Sequence, residues 1–178
     1  MRRFFEMANV LLSGAIVAFA LWAWPRLPDR IPLHFGFGGE PDRWGEPSAE
    51  SWFTLPALAV ALTLLMFWLP RFMARHPRWV NLPNGKRLSE FPGRARGPIL
   101  ELLAGFLALV QTEVLVIFGL IQFATWQAAM GEGSQGIMIT VLLLALLSSP
   151  LFLVILFLKF PKAVARAERI RDGTTPPE

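Results

Sequence analysis

Four long apolar runs constrain this chain more than any other feature of its sequence. They cover residues 8–24, 52–69, 98–126 and 136–160. A helix rises about 1.5 Å per residue, so roughly 20 residues cross a hydrocarbon core about 30 Å thick. Backbone groups find no water in that core, and a helix pairs them all within one segment. The runs therefore predict an all-α membrane protein: a single domain with four transmembrane helices.

The composition also favours a membrane protein. Hydrophobic residues make up 54% of the 178 positions and charged residues only 17%, against about 25% in a typical soluble domain. Lipid must therefore cover part of the surface. The chain has no cysteine, which excludes disulfides, thiolate metal sites and a cysteine nucleophile.

Basic residues are unevenly distributed among the segments outside the apolar runs. Fourteen of the seventeen Lys and Arg residues lie within residues 1–7, 70–97 and 159–178. Because Lys and Arg concentrate in cytoplasmic segments, we expect both termini and residues 70–97, the basic loop, to be cytoplasmic. Residues 25–51, the outer loop, would then lie outside the cytoplasm.

The first apolar run has an alternative interpretation as a signal peptide. Two arginines precede it, and the small residues Ala18 and Ala20 could mark a cleavage site. The run continues to Trp24, however, and the distribution of charge fits an anchored first helix better.

The basic loop and the tail, residues 161–178, carry most of the positive charge. Attraction to anionic lipid, about 1 kcal/mol per basic residue near the surface, is the first explanation, and docking of a protein is the second. No nucleic-acid-binding module accompanies the charge, so we expect no nucleic-acid partner. The stretch after Pro161 has good helix formers and is predicted to lie along or just beneath the membrane.

The outer loop has the pattern of a structured cap. Three prolines within eight residues exclude a helix from its first part, and the alternation over 31–37 predicts a short extended segment. Gly38-Gly39 and Pro41-Asp42 are turn formers. We expect the cap to pack three aromatic side chains against the helix ends: Phe35, Phe37 and Trp44.

Two stretches of this loop resemble a known family. Leu27–Phe35 reads LPDRIPLHF and Gly39–Gly45 reads GEPDRWG, which is similar to the signature of the domain-of-unknown-function family 1648. The resemblance covers roughly residues 8–70. It implies a protein of the bacterial inner membrane. The same domain begins the SdpI-like immunity proteins, which implies resistance to a secreted toxin peptide and signalling of its presence, although those proteins have more spans than four.

One charged residue, Glu113, falls near the middle of a predicted span. A charge there costs on the order of 3 kcal/mol, and no Lys or Arg lies at comparable depth. Ser148 and Ser149 precede Pro150 at a similar depth in the fourth run, and Pro150 frees a backbone carbonyl. We expect a neutral Glu113 hydrogen-bonded to these hydroxyls. This polar cluster of Glu113, Ser148 and Ser149 is either a structural link between two helices or a proton-linked or ligand-binding site.

The third run also has a face of small and polar residues at helical spacing, which predicts close packing against another helix. Its members are Glu101, Gly105, Ala108, Thr112, Gly119 and Gln122. Glu113 lies about 100° around the helix from this face, so we expect it to contact a different neighbour.

His34 lies close in sequence to Glu40 and Asp42 in the outer loop. One imidazole with flexible carboxylates is weak evidence for a metal, so the default hypothesis is that His34 is a hydrogen-bonded anchor of the loop, without metal or cofactor. His34 and Asp42 are also candidate binding residues of this loop. A pH-sensing role stays open because histidine titrates near neutral pH.

The sequence lacks the motifs of common enzymes. It has no nucleophile–base–acid constellation, no glycine-rich phosphate loop and no His-Glu-x-x-His motif. We therefore expect a non-enzymatic protein of the bacterial inner membrane: a sensor, immunity factor or accessory subunit. It would meet a peptide or protein at the outer loop, as a homo-oligomer or within a larger complex. The alternative is a small transporter or permease component that uses Glu113, although no internal repeat is visible.

Overall fold

The computed structural model describes residues 2–174 and contains four long helices and a short β-hairpin. The helices are α1 (Arg2–Ala23), α2 (Ala49–Arg75), α3 (Gly97–Ala129) and α4 (Gln135–Arg171). Strands β1 (Ile31–Phe35) and β2 (Pro41–Gly45) pair antiparallel between α1 and α2. All four helices are long and apolar enough to cross a membrane, which confirms the four predicted spans.

Three of the predicted boundaries are wrong because the helices extend beyond the apolar runs. Helix α2 ends at Arg75 rather than at residue 69. Helix α1 begins at Arg2 rather than at residue 8. Helix α4 continues through Pro161 to Arg171, so the predicted tail is not a separate segment along the membrane. Good helix formers such as Ala, Lys and Arg follow the proline, and they prolong the helix after the apolar run has ended.

Helix α3 packs against each of the other three helices. Against α1, Asn9 is buried and its Nδ2 donates to the Ala108 carbonyl at 2.9 Å. The Thr112 hydroxyl donates to Asn9 Oδ1 at 2.7 Å, and Gly119 lies beside Ile16. These α3 residues belong to the predicted packing face, so that part of the prediction is confirmed.

The end of the bundle that carries the hairpin has a small core of its own. Trp52 of α2 is only 1% exposed, and its indole N–H donates to the Ala20 carbonyl of α1 at 2.9 Å. Ala23 and Ile31 complete this buried cluster, and Gln122 of α3 donates to the Trp52 carbonyl at 3.3 Å. Trp52 therefore joins three helices and the hairpin at one point.

The basic loop is folded rather than a simple connector. It forms three short 3₁₀ turns and a β-bridge between Asn81 and Arg87. Its side chains form an apolar core with the start of α3 and the end of α4: Leu82, Leu88, Phe91, Ala95, Ile99, Phe160, Val164 and Ala167. Lys86 pairs with Glu168 of α4 at 2.8 Å. This packing holds the end of α4 against the basic loop.

Cysteine labelling can test the orientation of the bundle, because the natural chain has no cysteine and one introduced thiol is unique. Phe37 is 94% exposed at the hairpin tip, and Asn84 is exposed in the basic loop. We expect a membrane-impermeant maleimide to label Phe37→Cys on intact cells and Asn84→Cys only after permeabilisation. The reverse pattern would show that the charge-based orientation is wrong.

Candidate functional site

The hairpin is held on the bundle by its first strand. Ile31 and Pro32 are buried, and Ile31 packs in the cluster around Trp52. The predicted packing of the aromatic residues is wrong for Phe37, which is 94% exposed because it lies in the turn beyond β1. Trp44 is 39% exposed on β2, a strand without a fully buried residue.

The tip of the hairpin rests on the beginning of α4. Gly39 has φ of 81°, and a Cβ there would lie 3.0 Å from Met138 Cβ and 3.1 Å from the Gln135 carbonyl oxygen. Only glycine combines that conformation with that close approach. Pro41 and Asp42, predicted as turn residues, begin β2 instead.

The structure brings His34 and Asp42 together across the two strands. His34 Nδ1 lies 2.6 Å from Asp42 Oδ1, and both side chains are more than half exposed. The sequence predicted a hydrogen bond for His34 without naming its partner, and the structure gives Asp42 rather than Glu40 as that partner. Among residues 2–174, no group of three or more His, Asp or Glu side chains is placed to hold a metal ion. An exposed pair of this kind contributes little stability.

A cleft of about 490 Å³ opens between the hairpin, the first turns of α2 and the outer half of α3. We call it the outer cleft. Its apolar lining is Leu33, Phe35, Leu55 and Ile121, and its polar lining includes Arg43, Glu50, Ser51, Thr54, Gln122 and Thr125. The outer cleft is thus amphipathic, with one residue of each charge in its wall.

Sequence reasoning missed the outer cleft because its α3 residues, 121–125, lie far along the chain from its other lining residues, which fall within 32–55. The available signal was the polar pair Gln122 and Thr125 near the end of the third apolar run. Polar residues spaced by three on a helix lie on one face, and here that face meets the hairpin. The partners across the cleft depend on how the hairpin docks, which local patterns do not specify.

The intramembrane carboxyl of Glu113 meets both predicted serines. The Ser148 and Ser149 hydroxyls hydrogen-bond to the same oxygen, Oε1, the latter at 3.0 Å. Ser148 also contacts the Leu144 carbonyl of its own helix. Within residues 2–174, Glu113 Oε2 has no hydrogen-bond partner. Because Glu113 is half-buried and Ser149 is exposed, this polar cluster opens sideways from the bundle between α3 and α4.

The predicted site residues therefore fall into separate places. His34 and Asp42 lie on the hairpin, whereas Glu113, Ser148 and Ser149 form a cluster deep in the predicted spans. Nine residues separate Glu113 from Gln122 at the floor of the outer cleft, which is about 13 Å along α3. The hairpin and the Glu113 cluster are thus two candidate sites.

Four apolar helices and a docked hairpin define a multi-pass membrane protein. Residues 11–60, from α1 through the hairpin into α2, match the family described as "Domain of unknown function (DUF1648)". A relative, an "Uncharacterized protein" of Archaeoglobus fulgidus, is 31% identical in an alignment of 182 positions. The alignment covers 89% of this chain and 91% of the relative. No solved structure matches. The chain belongs to the DUF1648 family.

Substitution of Gly39 tests whether the hairpin is docked on α4. We expect Gly39→Ala to destabilise the docked hairpin by about 1–2 kcal/mol, because the left-handed conformation is unfavourable for alanine and the added Cβ meets α4. The result should be faster tryptic cleavage after the exposed Arg43 in the detergent-solubilised protein.

Gly38→Ala is the matched control, since a Cβ at Gly38 has no neighbour within 4 Å. Its cleavage rate should equal that of the wild type. Equal rates for both variants would contradict the docking of the tip on α4.

Proposed function

We propose that this protein is a non-enzymatic membrane receptor that binds an amphipathic peptide, or a peptide segment of a partner protein, in the outer cleft. The single observation that carries the proposal is the mixed lining of that cleft. The distribution of Lys and Arg predicts that this end of the bundle lies outside the cytoplasm. This role covers sensing, immunity or the recognition of a partner by an accessory subunit.

The chemistry of the lining supports a peptide. Leu33, Leu55 and Ile121 offer apolar surface, while Arg43 and Glu50 can pair with charged groups of either sign. A volume of about 490 Å³ lies within the range of roughly 300–1,000 Å³ found for ligand sites, which suits a few side chains of a peptide. The lining contains one carboxylate and no histidine, which is a composition for binding rather than acid–base catalysis.

The family resemblance supports the same class of function. The region that matches the family, residues 11–60, includes the whole hairpin and the α2 side of the outer cleft. The resemblance to SdpI-like immunity proteins points to a secreted peptide as ligand, and a plasma membrane of a prokaryotic cell is the corresponding location.

Site-specific photocrosslinking tests this proposal. A benzoylphenylalanine at Leu55, in the outer cleft, should form a discrete adduct with a peptide or protein in native membranes. The matched control is Leu64 on the same helix, which is 66% exposed on the surface of the bundle and should give lipid adducts only.

The adduct at Leu55 should also disappear when Ile121→Trp fills the cleft from the opposite wall. Adducts with lipid alone at both positions would contradict a peptide receptor. Adducts of equal mass and yield at Leu55 and Leu64 would show a contact with the outer surface of the bundle rather than with the cleft.

The second candidate function, a small transporter or permease component, has one specific observation in its favour. Glu113 lies near the middle of a predicted span, next to Ser149 and the Pro150 interruption. Its second carboxyl oxygen has no hydrogen-bond partner among the described residues 2–174. Such an intramembrane carboxyl is often part of a proton or substrate path. A transporter should take up solute when the protein is reconstituted in proteoliposomes, and Glu113→Gln should abolish that uptake. A receptor should show no uptake in the same assay.

A further inference from the structure

A ladder of aromatic rings runs along the last turns of α2 into the basic loop. Trp68 stacks on Phe72 with ring centroids 4.7 Å apart, and Phe72 meets Trp79 edge-on at 5.8 Å. Trp68 is 52% exposed and Trp79 is 75% exposed. Two large indole rings are therefore held in fixed positions on the surface, although the neighbouring loop has a well-packed apolar core.

Three arginines lie beside this ladder. Arg71, Arg75 and Arg78 are all exposed. Arg71 lies over the Phe67 ring, 3.9 Å from its centroid. Within residues 2–174, Arg75 and Arg78 form no ion pair, in contrast to Lys86, which pairs with Glu168. We call Trp68, Arg71, Phe72, Arg75, Arg78 and Trp79 the arginine–aromatic patch.

The patch lies at the depth of lipid headgroups. Helix α2 has 27 residues and is therefore about 40 Å long, close to the thickness of a bilayer with its headgroup regions, about 40–45 Å. Its final turn, with Arg71 and Arg75, thus reaches the headgroup region. Tryptophan rings favour this region because they are both apolar and polar.

We propose that the arginine–aromatic patch is a binding site for the headgroup of an anionic phospholipid. The guanidinium groups can hold a phosphate through paired N–H donors, and the indole rings of Trp68 and Trp79 flank the glycerol and the upper acyl chains. The proposal differs from diffuse attraction to the many basic residues of this end of the bundle, because it assigns the lipid to one place. It does not depend on the function proposed for the outer cleft.

Native mass spectrometry of the full-length protein released from mixed micelles tests the proposal, with phosphatidylglycerol and phosphatidylcholine at equal concentration as the probes. The wild type should retain phosphatidylglycerol at least fivefold more than phosphatidylcholine. The triple variant Arg71→Gln, Arg75→Gln, Arg78→Gln should lose that preference.

A matched triple variant removes the same number of charges elsewhere at the same end of the bundle: Arg3→Gln, Arg94→Gln, Arg169→Gln. It should keep the preference of the wild type. Equal loss in both triple variants would overturn the proposal in favour of diffuse attraction. No preference in the wild type would overturn it as well and leave an acidic protein segment as the occupant of the patch. Gel filtration of each variant shows whether it is folded.

Discussion

Hydrogen bonds from the side chains of α3 are the constraint on which the bundle depends. In hydrocarbon, apolar side chains gain little by leaving lipid for a neighbouring helix, so close packing and interhelical hydrogen bonds must hold the helices together. Helix α3 makes such bonds to each of the others, through Thr112 to α1, Gln111 to α2 and Glu113 to α4. Because they leave α3 in different directions, these contacts place the helices around it.

The same helix connects the two ends of the molecule. At its outer end Gln122 bonds to the backbone at Trp52, beside which the hairpin docks to form the outer cleft. At its other end Ile99 packs in the core of the basic loop with Phe160 of α4. The family match covers α1, the hairpin and part of α2, whereas α3 provides the surface against which that region packs.

The sequence predicted those features that depend on a single residue or on the length and apolar character of one segment. Spans follow from length and hydropathy, and the contact of Glu113 with Ser148 followed from depth alone, since a lone carboxyl in lipid needs a polar neighbour. The outer cleft was not predictable, because it depends on the angle at which the hairpin meets α2 and α3. The exposure of Phe37 has a different cause: the alternation over 31–37 predicted an extended segment, but β1 ends at Phe35 and Phe37 lies in the turn that follows.

A double-mutant cycle on Asn9 and Thr112 tests the central role of α3 most directly. Asn9→Leu, Thr112→Val and the double variant are compared by reversible unfolding of the detergent-solubilised protein. The coupling energy of an interhelical hydrogen bond in a membrane protein is typically about 0.6–2 kcal/mol. Each single variant should therefore lower the free energy of unfolding. The loss in the double variant should be smaller than the sum of the two single losses by that coupling energy. Strictly additive effects would show that the Asn9 and Thr112 side chains do not interact, and would contradict polar contacts from α3 as the basis of the bundle.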